Sequence, residues 1–192
     1  MLSLIFQKSG VDSLDSNDLK HLLTAVQTGD LEIDAAVEKL RKLPFEAVGD
    51  AMIDHHRALR QGVPEVILGE AKSAEQIAKI VGHMAAHGDD ILVTRISGDK
   101  AQHLSNSHPG GEYDPLARTF VLRQKPFSDL GNGSVLVICA GTSDLPVARE
   151  AAITARAFNN RVVELTDVGV AGIHRLLAHT DALHEASVII VV

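Results

Sequence analysis

Three short β-rich runs alternate with segments of helical spacing in the last third of the chain. The runs are VLVICAG, RVVEL and SVIIVV, and the segments between them, LPVAREAAITARAF and IHRLLAHTDALHEA, predict helices. Apolar strands that alternate with helices are typical of parallel strands covered on both faces. Residues 127–192 therefore predict half of a doubly wound parallel sheet in a three-layer α/β/α domain.

A second, smaller α/β pattern occupies residues 45–126. PEVILGE and DDILVTRIS predict strands, and SAEQIAKIVGHMAAHG between them predicts a helix whose first turn carries a capping box of Ser73 and Gln76. A strand, a helix and a strand at this spacing predict a right-handed βαβ unit. RTFVLR predicts one more strand, and the Gly- and Pro-rich SNSHPGGEYDP, residues 105–115, is expected to be a surface loop.

The first 44 residues have the pattern of a helical hairpin. Leu19, Leu22, Leu23 and Val26 recur at spacings of three and four, TGD interrupts the pattern, and DAAVEKLRKLP predicts a second helix. The apolar stripe is too small to form a core, so we expect the hairpin to dock on the rest of the molecule. The predicted fold class is α/β: a helical segment, a small α/β domain and a parallel-sheet domain.

Composition argues against several classes of partner. The net charge is −7 and aromatic residues make up 3% of the chain, whereas nucleic-acid binders need basic surfaces or aromatic platforms. No apolar run approaches the length of a membrane span, and the N-terminus lacks the features of a signal peptide. The single cysteine, Cys139, lies in an apolar run and is expected to be a core residue. We therefore expect a cytoplasmic protein that contacts neither nucleic acid nor membrane.

Two loops follow the carboxyl ends of the predicted parallel strands, where open sheets bind their ligands. The first is Gly141-Thr142-Ser143-Asp144. Gly141 permits close approach, Ser143 or Asp144 can cap the next helix, and Pro146 suits the first helical turn. Free amides and the helix dipole favour an anion here, although the same residues also make an ordinary helix start. The loop matches neither a P-loop nor a dinucleotide fingerprint.

The second loop runs from Asp167 to Arg175 and contains two glycines, Gly169 and Gly172. It brings an acid, the imidazole of His174 and the guanidinium of Arg175 into one short segment. Histidine carries protons near neutral pH, and arginine forms a fork for phosphate or carboxylate. The alternative is that His174 and Arg175 are surface residues of an ordinary helix.

The segment DHHRALRQG concentrates cationic and titratable residues: Asp54, His55, His56, Arg57 and Arg60. Adjacent histidines on an extended segment point to opposite faces, so the pair is poorly placed to hold one metal ion. An anion-contacting patch and a solvated polar strand remain equal alternatives. The pair His83 and His87 is interpreted as a coincidence on a helix surface, and no metal site is predicted.

Four segments in order resemble the LarB family of nickel-pincer cofactor biosynthesis proteins. They are LPFEAVGDAMIDHHRALRQGVPEVILGEAKSAEQI, ILVTRIS, CAGTSDLPVAREAAITA and DVGVAGIHRLL, and the resemblance extends from about residue 33 to 192. The C-terminal third is also similar to the purine-pathway (AIR) carboxylase PurE, whose Gly-Ser-x-Ser-Asp turn resembles residues 141–144. The resemblance implies a flavodoxin/PurE-like C-terminal domain. It also implies a homo-oligomer, and specifically an octamer, because PurE-like domains usually assemble as octamers.

The resemblance also implies a reaction. The LarB family carboxylates the pyridinium ring of nicotinic acid adenine dinucleotide with CO₂ or bicarbonate and hydrolyses the phosphoanhydride to release AMP, for lactate racemase maturation. It implies catalytic roles for Ser143, Asp144 and His174 and substrate-binding roles for Gly141, Thr142, Asp167, Gly169, Arg175, Arg57 and Arg60. No tightly bound cofactor is implied, and a requirement for Mg²⁺ is left open.

One departure from the family concerns its nucleophile. Family members continue past the last strand with a Gly-rich turn and a cysteine that attacks the pyridinium ring, and the sequence here ends at Val192. Cys139 does not match that position. The last predicted strand is left unpaired at the sheet edge, so we expect either a C-terminally shortened chain or one whose missing pairing comes from another subunit. We expect this chain to bind the dinucleotide with little or no turnover. The alternatives are a non-catalytic nucleotide-binding or assembly module and an AIR carboxylase, against which the long N-terminal region argues.

Overall fold

The computed structural model describes residues 16–41, 46–48, 51–53, 57, 63–129 and 131–192. The helices are α1 (Ser16–Gln27), α2 (Ile33–Arg41), α3 (Ala74–Ala86), α4 (Gly98–Ser107), α5 (Leu145–Ala157), α6 (Ile173–Leu177) and α7 (Thr180–Glu185). The strands are β1 (Glu46–Val48), β2 (Ala51–Ile53), β3 (Val66–Leu68), β4 (Ile91–Thr94), β5 (Glu112–Asp114), β6 (Thr119–Leu122), β7 (Ser134–Ile138), β8 (Arg161–Leu165) and β9 (Ala186–Val191). The predicted α/β fold class is confirmed.

The N-terminal hairpin forms as predicted, with Gly29 at φ +78° in the turn between α1 and α2. Leu22 and Ala36 are buried, and the two helices contact each other. Leu23, at 56% exposure, and Ile33, at 67%, stay open to solvent. The expected docking of the apolar stripe is therefore not seen among the residues that the structure describes.

The small domain contains a mixed four-stranded sheet in the order β3-β4-β6-β5, and β1 pairs with β2 in a separate antiparallel ribbon. Strands β3 and β4 are parallel, so the predicted β3–α3–β4 unit is confirmed. The capping box is also present: the Gln76 amide donates to Ser73 Oγ at 3.2 Å, and the Ser73 amide donates to Gln76 Oε1 at 2.9 Å. The fully buried core includes Ile77, Val81, Val93, Leu104 and Phe120.

The predicted surface loop at 105–115 is wrong at both of its ends. Helix α4 continues to Ser107 because Ala101 and Leu104, one turn apart, are buried against the core. Residues Glu112–Asp114 form β5, which pairs with β6. The Asp114 carboxylate closes the hairpin, since its Oδ1 accepts the Leu116 and Ala117 amides at 3.0 and 2.9 Å. Burial in the core at one end, and the turn that the Asp114 side chain forms at the other, decide the structure here despite a composition typical of loops.

The C-terminal sheet is parallel throughout, in the order β8-β7-β9. Helix α5 covers one face with Ala148 and Ala152, and α6 and α7 cover the other around Leu136 and Ile138 of β7. The predicted three layers are therefore present. The single helix predicted at the second crossover is wrong, because it is two short helices that break at 178–179. No helix in the described ranges has the length and apolar composition needed to cross a membrane.

Helix α5 also packs against β4 and β6, so it lies between the two sheets. Arg149 of α5 donates from Nε to Asp114 Oδ2 at 3.0 Å and from a terminal nitrogen to Glu164 Oε1 at 3.0 Å. Arg156 also contacts Glu164, at 2.7 Å. This ion network joins β5 of the small sheet to β8 of the parallel sheet through one helix. The limits of the three predicted domains stay a prediction.

The environment of the network shifts the pKa of two members. Burial by itself would raise the pKa of the Asp114 carboxyl, but hydrogen bonds from the Ala117 amide and from Arg149 outweigh burial and lower that pKa below its usual value. The hydrogen bond to Asp114 raises the pKa of Arg149, against a smaller opposing effect of burial. Both shifts favour the charged forms, so the network is an ion pair at neutral pH.

Candidate anion-binding site

The turn at residues 141–144, which follows β7, is held by hydrogen bonds among its own residues. Asp144 Oδ2 accepts the Gly141 amide at 3.1 Å, and Asp144 Oδ1 accepts the Ser143 hydroxyl at 3.2 Å. The Asp144 amide donates back to the Gly141 carbonyl at 3.2 Å. These contacts shape Thr142–Asp144 into one 3₁₀ turn that leads into α5.

The prediction that Ser143 or Asp144 caps α5 is wrong. Asp144 occupies the N-cap position, but its φ and ψ of −92° and −8° are helical and its side chain makes no cap hydrogen bond. The reason is local, because the carboxylate is already turned back onto the Gly141 amide. Pro146 lies in the first turn of α5, as predicted.

Backbone donors remain in this turn. The amides of Thr142 and Ser143 open the 3₁₀ turn, where no earlier helical turn supplies an acceptor, and both residues are exposed. The dipole of α5 adds partial positive charge at the same place. The Asp144 carboxylate disfavours a bound anion, because that anion would lie beside a negative charge. An anion at this turn therefore requires a cation from a neighbouring element.

Cys139 lies directly beneath the turn. Its side chain is fully buried, and Sγ donates to the Gly141 carbonyl at 2.7 Å. The prediction that Cys139 is a core residue is confirmed. Because the thiol is fully buried and donates a hydrogen bond within the turn, Cys139 is a structural residue of the turn.

The loop at residues 167–175, which follows β8, lies directly against the end of β7. The Val168 amide donates to the Cys139 carbonyl at 3.3 Å, and the Gly169 amide donates to the Ala140 carbonyl at 3.0 Å. A Cβ atom at Gly169 would lie 2.9 Å from the Ala140 oxygen, so only glycine permits this approach. The structure thus brings the 141–144 turn and the 167–175 loop together at one edge of the sheet.

Arg175 is the cation that this loop supplies. It donates from a terminal nitrogen to Asp167 Oδ2 at 2.6 Å, and its guanidinium lies over Gly172, where a Cβ would come within 2.7 Å of Nε. The side chains of Arg175 and Asp167 are 43% and 55% exposed. One ion pair uses part of a guanidinium that carries five donors, so Arg175 is oriented by Asp167 and still has donors for a ligand. His174, next to it, is exposed on α6.

No contact in the described part of the chain brings Arg57, one of the two arginines predicted to contact a diphosphate, to this edge. A terminal nitrogen of Arg57 lies 3.6 Å from Glu65 Oε2, ahead of β3, and Arg57 Nε is buried without a hydrogen-bond partner. Arg60 lies outside the described residues, as do Asp54, His55 and His56. The roles of Arg57 and Arg60 stay predictions. Among the described residues, no group of three or more His, Cys, Asp or Glu side chains is arranged to hold a metal ion.

The sequence analysis missed the Arg149 network. Arg149 is 35 positions from Asp114 and 15 from Glu164, so no local pattern links these charges. The one available signal is that Arg149 and Arg156 are seven positions apart and so lie on one face of a helix.

Comparison with known proteins supports a relation to one class of α/β protein. Residues 45–125 match the family model described as the LarB/PurE-like N-terminal domain. An uncharacterized protein of Methanocaldococcus jannaschii is 29% identical over 177 residues, which cover 89% of this chain and 69% of that protein. These findings relate the chain to LarB/PurE-like proteins. The matched domain precedes the 141–144 turn, so it leaves the roles of the site residues as predictions.

Proposed function

We propose that the two loops at the edge of the parallel sheet bind nicotinic acid adenine dinucleotide for carboxylation of its pyridinium ring in nickel-pincer cofactor biosynthesis. The observation that carries the proposal is the contact of Gly169 with the Ala140 carbonyl, which joins the 141–144 turn to the 167–175 loop. Open backbone amides and an arginine fork at one edge suit a ligand that carries both a carboxylate and a diphosphate. The LarB/PurE-like match at residues 45–125 supports the same class of reaction.

Each site residue has a role in this proposal. The amides of Thr142 and Ser143 donate to a carboxylate or phosphate oxygen, with the Ser143 hydroxyl as a further donor. Arg175 binds the neighbouring phosphate, and Asp167 holds the guanidinium in place. The remaining roles are those implied by the resemblance: Asp144 and His174 move protons or bind a ribose hydroxyl, Gly141 and Gly169 permit close approach, and Arg57 and Arg60 contact the diphosphate.

The carboxylation step needs a nucleophile that these 192 residues do not place at the site. In the family, a thiolate adds to the pyridinium ring and makes the ring electron-rich enough to attack CO₂. The sequence contains one cysteine, Cys139, and that thiol is buried beneath the turn. This observation favours a second candidate for the chain by itself, a non-catalytic nucleotide-binding or assembly module. The AIR carboxylase alternative is not favoured, because the matched family model is the LarB/PurE-like one.

Binding without turnover is the expected behaviour of the 192-residue chain. Calorimetric titration with nicotinic acid adenine dinucleotide should show saturable binding, and NAD, whose pyridinium carries an amide in place of the carboxylate, should bind more weakly. Mass spectrometry after incubation with bicarbonate should detect neither a carboxylated mononucleotide nor AMP. Parallel samples with Mg²⁺ and with EDTA decide whether binding needs the metal ion.

Two outcomes would count against the proposal, and they are distinguishable. Absence of binding would show that nicotinic acid adenine dinucleotide is not the substrate. Sustained release of AMP together with a carboxylated product would retain the substrate and refute the inference that this chain lacks its nucleophile.

A further inference from the structure

Arg149 joins the two elements, α5 and β8, that carry the candidate anion site. It is the fifth residue of α5, so its Cα lies about 6 Å along the helix axis from the first residue, Leu145. The 141–144 turn leads directly into that first residue. Glu164, whose Oε1 accepts from a terminal nitrogen of Arg149 at 3.0 Å, is the fourth of the five residues of β8 and lies three positions before Asp167. This contact therefore joins the beginning of α5 to the end of β8, next to both loops of the site.

The third member of this contact belongs to the small domain. Asp114, the last residue of β5, accepts from Arg149 Nε at 3.0 Å through its Oδ2 atom. Its other oxygen, Oδ1, accepts the Leu116 and Ala117 amides, so the carboxylate is fixed to its own hairpin. The planar guanidinium of Arg149 binds two carboxylates with different nitrogens, and both carboxylates together set its orientation.

Apolar packing alone gives α5 little resistance to sliding over the parallel sheet. Besides Leu145 at its first position, the helix contributes three alanines to the core on this face: Ala148, Ala151 and Ala152. Short side chains form shallow ridges, which interlock less with a facing surface than long ones do. Strand β8, in contrast, is fixed to β7 by the parallel ladder. The ion contacts of α5 therefore have a larger part in setting its position.

The small domain also holds the far end of α5. Arg123, which follows β6, donates to the Arg156 carbonyl in the last turn of the helix and to Asn159 Oδ1 at 3.1 Å. The helix is thus attached to the small domain near its beginning, through Asp114, and at its end. Rigid secondary elements carry energetic coupling between distant sites, and α5 is such an element between the small domain and the 141–144 turn.

We propose that Asp114 and Arg149 are positioning residues for the candidate anion site. Asp114 orients Arg149, and Arg149 holds the beginning of α5 against the end of β8. This arrangement sets the separation between the turn amides and Arg175, which bind one ligand together. Charge-assisted hydrogen bonds are short, roughly 2.7–2.9 Å, so a displacement of the turn by about 1 Å weakens one of these contacts. The inference rests on the proposed function for the identity of the ligand.

The test pairs two substitutions of aspartate by asparagine. Asp114→Asn keeps the size of the side chain and an oxygen for the hairpin amides, and it removes the charge that faces Arg149. Asp129→Asn is the matched control: Asp129 is 26% exposed against 24% for Asp114, and it pairs with Arg161 at the end of β8 away from the site. Leu104→Ala, in the core of the small domain, is the control for lost stability.

The first measurement needs no ligand. In proton–nitrogen correlation spectra of the unliganded chain, Asp114→Asn should shift the amide signals of Thr142, Ser143 and Gly169, because α5 and the turn move relative to the loop after β8. The two control variants should leave these signals in place, since neither changes a contact of α5 near the turn. Circular dichroism shows that each variant is folded. Unmoved signals in folded Asp114→Asn would overturn the proposal, whether or not the unmodified chain binds the dinucleotide.

The second measurement is calorimetric titration with nicotinic acid adenine dinucleotide. Asp114→Asn and Arg149→Met should each bind about 10-fold more weakly than the unmodified chain, and both controls should bind as it does. In the Arg149→Met background, Asp114→Asn should have no further effect, because Asp114 acts through Arg149. Unchanged affinity of Asp114→Asn, or additive losses in the double variant, would overturn the proposal. A failure of the unmodified chain to bind would refute the proposed function instead, and the amide signals alone would then decide whether the two residues position the turn.

Discussion

Replacement of Gly111 by alanine is expected to lower the free energy of unfolding by about 3 kcal/mol, the upper end of the cost of overpacking a core. A Cβ at Gly111 would overlap the Cζ atom of Phe120 and lie 2.7 Å from both Cε atoms. Phe120 is fully buried between the helices and the small sheet, so its ring has no space into which to move. Urea denaturation followed by circular dichroism at 222 nm measures the effect.

Gly82→Ala is the matched control for this substitution. Gly82 lies inside α3, and a Cβ there would meet no atom within 4 Å. Alanine in the helix interior should raise the free energy of unfolding by about 0.5–1 kcal/mol. An unfolding free energy for Gly111→Ala within 0.5 kcal/mol of the unmodified chain would show that Phe120 does not pack against Gly111 as described.

Replacement of Arg149 by methionine should have the second largest effect, a loss of about 2 kcal/mol at pH 7. The substitution leaves the carboxylates of Asp114 and Glu164 without their shared partner between the two sheets. The full cost of breaking a buried pair does not apply, because the Arg149 side chain is 39% exposed and water screens the charges. Arg161→Met, at a side chain 72% exposed, is the control and should cost less than about 1 kcal/mol.

The same network predicts a dependence of stability on pH. The pKa of Asp114 is lower in the folded than in the unfolded chain, where it is about 3.9. Its contribution to stability is therefore complete above that value and is lost as the pH falls through the folded pKa. Asp114→Asn should flatten the fall in unfolding free energy between pH 5 and the acid limit of folding, measured by urea denaturation at each pH. An unchanged slope would contradict a role for this carboxyl.

Local patterns in the sequence were sufficient for elements that local interactions determine. The capping box of Ser73 and Gln76 is encoded within four residues, and α3 begins where that signal predicts. The loop composition of 105–115 was misleading, because burial of Leu104 and pairing of β5 with β6 depend on residues far along the chain. For the same reason, no local pattern could reveal the pairing of Arg149 with Asp114.

One part of the candidate site could be predicted from the sequence and another could not. Its place in the fold was predictable, because the 141–144 turn and the 167–175 loop follow adjacent parallel strands and such loops share an edge. The hydrogen bonding of Asp144 was not predictable, because its side chain can cap a helix or turn back to Gly141. Which of the two occurs depends on the backbone angles of the turn. The pairing of Arg175 with Asp167 depends likewise on the left-handed conformation of Asp167, at φ +57°.

The central claim is that the turn amides and Arg175 together bind the negatively charged part of a pyridinium dinucleotide. Calorimetric titration of Arg175→Gln with nicotinic acid adenine dinucleotide tests it most directly, with Arg161→Gln as the control for loss of one exposed arginine elsewhere on the sheet. We predict that Arg175→Gln binds about 10- to 30-fold more weakly, as expected for one charge-assisted contact, and that Arg161→Gln binds as the unmodified chain does. Equal affinity of Arg175→Gln and the unmodified chain would contradict the account.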